Sequence, residues 1–287
     1  MQPAVNELIA LLDLEAIEVN IFRGTSPDVT VQRVFGGQVA GQALVAAART
    51  VEDRAVHSLH AYFLRPGDPT LPILYEVERV RDGRSFTTRR VLAIQHGRPI
   101  FQLAASFQVE EEGFDHHDAM PPVPDPADVP TVVEAWAGQG RDEEWLQRDR
   151  AIDLRYVTGG PHQRGGHQPG QDAESHQRVW LRADGTLPDD PVLHTCIFTY
   201  ASDLTLLDTA LVPHDTGSFD EEIQMASLDH AMWFHRPFRA DDWLLYDQHS
   251  PSTSGARGLA EGRVWTRDGH LAVSVVQEGL IRRRRTT

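Results

Sequence analysis

HSLHAYFLRPGDPTLPILYE at residues 57–76 and SLDHAMWFHRPFRADDWLLYD at residues 227–247 decide the fold, because they are two versions of one passage. Arg65-Pro66 in the first matches Arg236-Pro237 in the second, and Tyr75 matches Tyr246, both at an offset of 171 (236 − 65, 246 − 75). Each passage is followed by a segment rich in Gly, Arg and Ser, GRSFTTRRVLAI at 83–94 or SGARGLAEGRVW at 254–265. Each then has a turn, HGRP or RDGH, and a closing strand-like run, IFQLAASFQV or LAVSVVQEGL. Apolar alternation on both sides of a short polar turn is the signal of a β-hairpin.

Upstream of each passage stands a helix candidate. In the first half it is FGGQVAGQALVAAARTV at 35–51, whose small residues permit close packing. In the second it is DDPVLHTCIFTYASDLTLL at 189–207, opened by Asp190 and Pro191, a good N-terminal start. Each half therefore reads as a short strand, one long helix and several antiparallel strands, an α+β layer architecture. Two such halves can pair their sheets and bury the edges that each alone would expose. Val5, Leu8, Ile9, Leu12 and Ile17 share one face of an N-terminal amphipathic helix. The Pro-rich, charged stretch 110–130 reads as a connection, and GGPHQRGGHQPGQDAESH at 159–176 as a polar loop. The expected division is a first half over 1–120, a linker over 121–149 and a second half over 150–287.

Composition narrows the function. The 287 residues carry a formal net charge of −15, and all 27 basic residues are Arg. Duplex nucleic acid needs a basic footprint, so no nucleic-acid partner is expected. A local Arg cluster can still hold an anionic ligand within an acidic whole. Cys196 is the one cysteine, which excludes an intrachain disulfide and fits a reducing compartment. The N-terminus has neither a basic region nor an apolar core of the signal-peptide kind, no run is long enough to span a membrane, and the C-terminus has no peroxisomal address; a cytoplasmic location is expected.

Six blocks carry a resemblance: VFGGQVAGQAL at 34–44, HSLHAYFLRPGD at 57–68, GRSFTTRRV at 83–91, YASDLTLL at 200–207, SLDHAMWFHRPF at 227–238 and VVQEG at 275–279. In this order, over nearly the whole chain, they resemble the acyl-CoA thioesterase II family. The resemblance implies a double-hotdog fold, hydrolysis of fatty acyl-CoA to acid and CoA, and no cofactor. It also implies a water held by an Asp, a Ser or Thr, and a Gln, which match Asp203, Ser227 and Gln277 here. The expected partner is the fatty acyl-CoA substrate, and the chain is expected to form a homo-oligomer.

The chemistry of the residues fits that expectation. A thioester carbonyl needs donors aimed at the developing oxyanion and a group that takes a proton from water. Gly36 and Gly37 open the first helix, where backbone N–H groups are accessible and the dipole is positive. Aligning Gly36-Gly37 with Thr195-Cys196 puts Leu44 where the second helix has Asp203. One complete site then needs both halves, and the reciprocal site lacks its acid. Gln277 has no proton to take or lose, so it holds water or oxyanion. His57 and His60 are candidates for lining the substrate channel, and Trp233, Phe234 and Phe63 for setting its depth. No metal is expected: His116, His117, His162 and His167 have no helical ligand spacing and no acid partner. Gly-x-Ser-x-Gly, Gly-x-Gly-x-x-Gly and phosphate-loop patterns are absent. Cys196 reads as core, Gly37-x-x-x-Gly41 as helix packing and Arg282–Arg285 as a solvated tail. The alternatives are a hotdog enoyl-CoA hydratase, which would need a His where Asp208 stands, and a non-catalytic acyl-CoA sensor, which would not need the Asp, Ser and Gln set.

Overall fold

Two small gaps in side-chain bulk bring two helices together, and the sheet wraps around them. The computed structural model describes residues 2–27, 33–136, 149–158, 176–214, 216, 220 and 222–284. Helix α1 (Gln2–Leu12) is followed by strands β1 (Glu15–Glu18) and β2 (Ile21–Gly24), then helix α2 (Gly36–Ala48). Strands β3 (Ala55–Phe63), β4 (Ile73–Asp82), β5 (Phe86–Gln95) and β6 (Arg98–Gln108) complete the first half. After a short helix α3 (Val132–Trp136) come β7 (Ile152–Tyr156), β8 (His176–Ala183) and helix α4 (Pro191–Ser202). Then follow β9 (Ile223–Ser227), β10 (Asp229–Phe234), β11 (Leu244–Ser254), β12 (Arg257–Thr266) and β13 (Leu271–Arg283).

All described strands lie in one antiparallel sheet, ordered β1-β2-β4-β5-β6-β3-β10-β13-β12-β11-β8-β7, with β9 pairing β13 off the main path. The halves join at β3 and β10, with Asp229 opposite Tyr62 and Trp233 opposite Ser58. This seam pairs the two edges that each half alone would leave open. The duplication read from the sequence is visible in the ladders: Arg89 opposite Ala105 on β5 and β6 answers to Ala260 opposite Gln277 on β12 and β13.

Helix α2 is buried on nearly every side, between the sheet and helices α1 and α4. Its glycines make that possible. A Cβ on Gly37 would sit 2.3 Å from the Tyr200 carbonyl oxygen, and one on Gly41 would sit 3.2 Å from that of Cys196. Gly37-x-x-x-Gly41 is thus the surface where the two long helices touch, and Cys196 is fully buried beside it. Asp190 caps α4 by accepting from Val192 N at 2.9 Å, with Pro191 in the first turn, as the sequence indicates. The β5–β6 turn is made by His96 and Gly97 at φ 49° and 67°, the left-handed pair that a two-residue hairpin requires.

Three expectations need correction. Ile17 does not continue the N-terminal helix; α1 stops at Leu12, and Ile17 lies in β1 and is exposed. Helix α4 ends at Ser202, so Asp203 is its C-cap rather than an interior residue. Matching helix ends then puts Arg49, the C-cap of α2, where Leu44 was expected. The stretch 110–130 is also more than a connection. Met120, Val123 and Val129 pack on Trp180, Trp243, Leu245 and Trp265, covering the outer face of the second half. Pro124 and Asp118 accept from the indole N–H groups of Trp180 and Trp265, which meets the polar need of two buried rings. His162, His167 and Arg285 lie outside the described residues.

Candidate active site

At the end of α4, the chain turns and leaves a carboxylate inside the protein. Asp203 is half-buried, and loss of solvent around its carboxylate pushes its pKa up to about 6; hydrogen bonds from Gln277, Ser227 and the Gly37 N–H pull the other way. Gln277 Nε2 donates to Asp203 Oδ1 at 2.6 Å, and Ser227 Oγ donates to the same oxygen at 3.3 Å. The three side chains that the sequence singled out therefore converge on one point.

Strand geometry explains how. Ser227, the last residue of β9, stands opposite Gly279 of β13. Gln277 is two residues before Gly279, so both side chains project from one face. Gly279 has no side chain there, and Leu207 fills the space: a Cβ on Gly279 would meet Leu207 Cδ2 at 2.3 Å. Gln277 is fully buried, and its Oε1 has no hydrogen-bond partner. A buried acceptor without a donor is costly, so this oxygen is a ready place for a water or substrate N–H or O–H.

The first half supplies the opposite wall. The N-cap of α2 is Phe35, which provides no side-chain hydrogen bond. The Gly37 N–H instead meets Asp203, so a carboxylate from the second half caps a helix of the first. A Cβ on Gly36 would sit 2.6 Å from Asp203 Oδ2 and 2.9 Å from Phe63 Cε1. Glycine is needed there because any side chain would occupy the space in front of the carboxylate. The site is thus assembled across the seam, with Gly36 and Gly37 from one half and Asp203, Ser227 and Gln277 from the other.

The reciprocal position holds none of this. By strand register, Ser227 answers to Val56 and Gln277 to Ala105. The C-cap there is Arg49, hydrogen-bonded to Leu14 O and Asp13. The nearby interior is taken by Arg89, only 1% exposed, which donates to Thr50 and Asp82.

The structure does not bring His57 or His60 to the cluster. His57 lies six residues before Phe63, about 20 Å along the strand at ~3.3 Å per residue. Its Nε2 pairs with Ser106 Oγ at 2.8 Å, and its ring meets Phe86 edge-on. His60 is exposed on the outer face of the sheet, with its ring edge-on to Trp233, so Trp233 also lies away from the cluster. Phe63 does reach it, and Phe234 packs against the core at the reciprocal end. Sequence reading passed over Phe35 and Tyr200, whose rings meet edge-on 5.2 Å apart beside Gly37. The available signal was spacing: Tyr200 is three residues before Asp203 and so shares its helix face. Among the described residues no group of three or more His, Cys, Asp or Glu side chains is arranged as metal ligands, and no helix is long and apolar enough to cross a membrane.

Known proteins resemble this chain over nearly all of its length. Residues 149–280 match a family profile described as acyl-CoA thioesterase, and residues 25–108 match one described as acyl-CoA thioesterase N-terminal domain. The chain is 45% identical to acyl-coenzyme A thioesterase 8 of Homo sapiens, over 95% of this chain and 88% of the relative. It is 41% identical to acyl-CoA thioesterase 2 of Haemophilus influenzae, over 98% and 99%. Among solved structures, the acyl-CoA thioesterase II TesB2 of Mycobacterium marinum is 49% identical, with a TM-score of 0.79 over 98% of this chain and 99% of that one.

Proposed function

Since the chain belongs to the acyl-CoA thioesterase family, we propose that it hydrolyses fatty acyl-CoA to free fatty acid and CoA at the Asp203 cluster. The observation that carries the site is the convergence of Ser227 Oγ, Gln277 Nε2 and the Gly37 N–H on one half-buried carboxylate. Water sits beside Asp203 and the free Gln277 Oε1 and attacks the thioester carbon. A C–O bond forms, and the proton leaving water passes to the Asp203 carboxylate. Collapse of the tetrahedral intermediate breaks the C–S bond, and the proton held by Asp203 goes to the departing CoA sulfur. The positive end of α2 at Gly36 and Gly37 favours charge developing on the carbonyl oxygen.

Release of free thiol from acyl-CoA, followed against pH, tests this reading. Asp203 acts as a base only when ionised. With its pKa near 6, kcat/KM should fall about tenfold per pH unit below that value and level off above it. A limb with its midpoint below pH 4, or no thiol release at any pH, would remove Asp203 from this role.

The three groups act as a unit. Ser227→Ala and Gln277→Ala should each lower kcat more than they raise KM, and the double variant should lose less than the sum of the two in activation free energy. Independent contacts add, so full additivity would mean that the two side chains do not share a water. Ser227→Thr keeps the hydroxyl and should keep much of the activity.

The wider reading keeps the boundaries 1–120, 121–149 and 150–287 for first half, linker and second half, and a cytoplasmic location, which the single, fully buried cysteine supports. The chain also self-associates: Tyr62 and Leu74 are 54% and 42% exposed on the outer face of the first half, which the segment at 110–130 leaves bare. Sedimentation at monomer mass would overturn that.

A further inference from the structure

Where β3 leaves the cluster, the chain forms a cleft that its duplicate has closed. Phe63, the ring beside Gly36, ends β3, and Arg65 follows two residues later, about 7 Å of extended chain away. The cleft there measures about 460 Å³, and Arg65, His96 and Arg98 line it together with Asp68 and Gln95. Gln95 is buried and fixes the shape, donating Nε2 to Asp68 O and Leu71 O and accepting from Asp68 N.

The internal repeat shows what such a position binds. Arg65 donates Nη1–H to Pro99 O at 2.6 Å, and its counterpart Arg236 donates Nη1–H to Leu271 O at 2.8 Å, the same bond in the duplicated hairpin. Arg236 also grips the Asp115 carboxylate and His116 O, both from the segment that crosses the second half. Its neighbours are neutralised too: Arg267 pairs with Asp125 and His270 with Asp268. Arg236 and Arg267 thus each carry a carboxylate, and that end adjoins the reciprocal position, where Arg49, Val56 and Ala105 stand in place of the acid, Ser and Gln. At the other end, beside Asp203, neither Arg65 nor Arg98 forms an ion pair among the described residues, while His96 interacts electrostatically with Asp68. Asp68, the acid lining the cleft, has Oδ1 taken by Thr70 N and Oγ1 at 2.9 and 2.7 Å.

We propose that the Arg65–Arg98 cleft holds a phosphate group of the CoA moiety of the substrate while the thioester lies at Asp203. The proposal rests on the acyl-CoA reading of the site. In the second half the Asp115 carboxylate occupies the equivalent guanidinium; in the first, the anion comes with the substrate. A chain of net charge −15 repels a polyanion at long range, so a local cationic cleft next to the site is where binding energy for CoA is gained. Guanidinium groups suit phosphate because their planar fork donates two parallel hydrogen bonds.

The test compares Arg98→Gln and Arg65→Gln with wild type on three thioesters of one acid: of CoA, of 3′-dephospho-CoA and of N-acetylcysteamine, which has no phosphate. Arg98→Gln should raise KM for acyl-CoA about tenfold with kcat nearly unchanged, because the contact is uniform between ground and transition states. KM for the N-acetylcysteamine thioester should not move. An effect that persists with 3′-dephospho-CoA assigns the diphosphate, and one that vanishes assigns the 3′-phosphate; both support the cleft. An unchanged KM for acyl-CoA, or an equal rise for the phosphate-free thioester, overturns it. Inorganic phosphate binding without any response of the acyl-CoA KM would mean a free-anion site only, and would also overturn it. Arg65→Gln loses its bond to Pro99, so its melting temperature is followed alongside; Arg98→Gln carries the test without that complication. If wild type releases no thiol from any of the three, the proposed function fails, and calorimetry with CoA itself then decides: weaker binding by Arg98→Gln upholds the cleft, and equal binding overturns it.

Discussion

Asp203→Asn lowers kcat for acyl-CoA hydrolysis by about 100-fold or more, the usual range for loss of a general base. The substitution is isosteric. Its amide oxygen still accepts from Gln277 Nε2, which now reaches Asp203 Oδ1 at 2.6 Å, and the side chain stays in its site at the end of α4. What disappears is the capacity to take a proton. The variant should therefore melt no lower than wild type at neutral pH and bind acyl-CoA close to normally while turnover collapses, and the limb near pH 6 should vanish with the carboxylate. Turnover within about threefold of wild type in a pure sample would mean that water is activated elsewhere.

Gly37→Ala should cost activity by a different route. The added Cβ would lie 2.3 Å from the Tyr200 carbonyl oxygen, backbone that has no rotamer to escape into. The two long helices must separate, and overpacking of this kind costs about 1–3 kcal/mol. For a chain of this size that lowers Tm by roughly 2–10 °C. The larger effect is on chemistry. Moving α2 carries the Gly37 N–H and the Gly36 wall away from Asp203, and misplacement by about 1 Å costs on the order of 100-fold in rate. Gly41→Ala is the control, since its Cβ would meet Leu12 Cδ2 and Cys196 O at 3.1 and 3.2 Å, contacts that small shifts relieve. Equal activity and melting in Gly37→Ala and wild type would show that helix separation does not set the site.

The repeat of 171 residues carried most of the fold, because strand alternation and hairpin turns are written locally. It gave two hairpin-rich halves, and from these came the joined sheet and the expectation of one site per chain. What it did not give was end geometry. Where α4 stops depends on the turn that follows, so the sequence put Asp203 inside a helix and Leu44 opposite it, whereas helix ends pair Asp203 with Arg49. Asp203, Ser227 and Gln277 were legible only through resemblance; nothing local tells that residues 24 and 74 apart meet on one oxygen. His57 and His60 went astray for a simple reason. A strand shows one face to the helices and the other outward, and a one-residue irregularity between Val56 and Ser58 hides which is which. The segment at 110–130 read as a connection because its prolines and acids look like solvent-facing chain. Its partners include three tryptophans and three arginines more than 50 residues away in sequence.

The half-buried Asp203 carboxyl gives the folded state an unusual response to acid. Most carboxylates in folded proteins are held below their free pKa, so acid weakens the fold as they protonate. For Asp203 the sign is reversed: its folded pKa of about 6 lies above the ordinary value of 3.8. Between those two values the native chain binds more protons than the unfolded one. This group's contribution to stability is therefore full below about pH 4 and declines as pH rises through 6, by on the order of 3 kcal/mol in all. The ionised form that chemistry requires is the form that the fold tolerates least, and the hydrogen bonds from Gln277, Ser227 and Gly37 keep that conflict from growing larger. At neutral pH the chain folds with a built-in strain in charge rather than in geometry, and that strain is located at the atom that does the work.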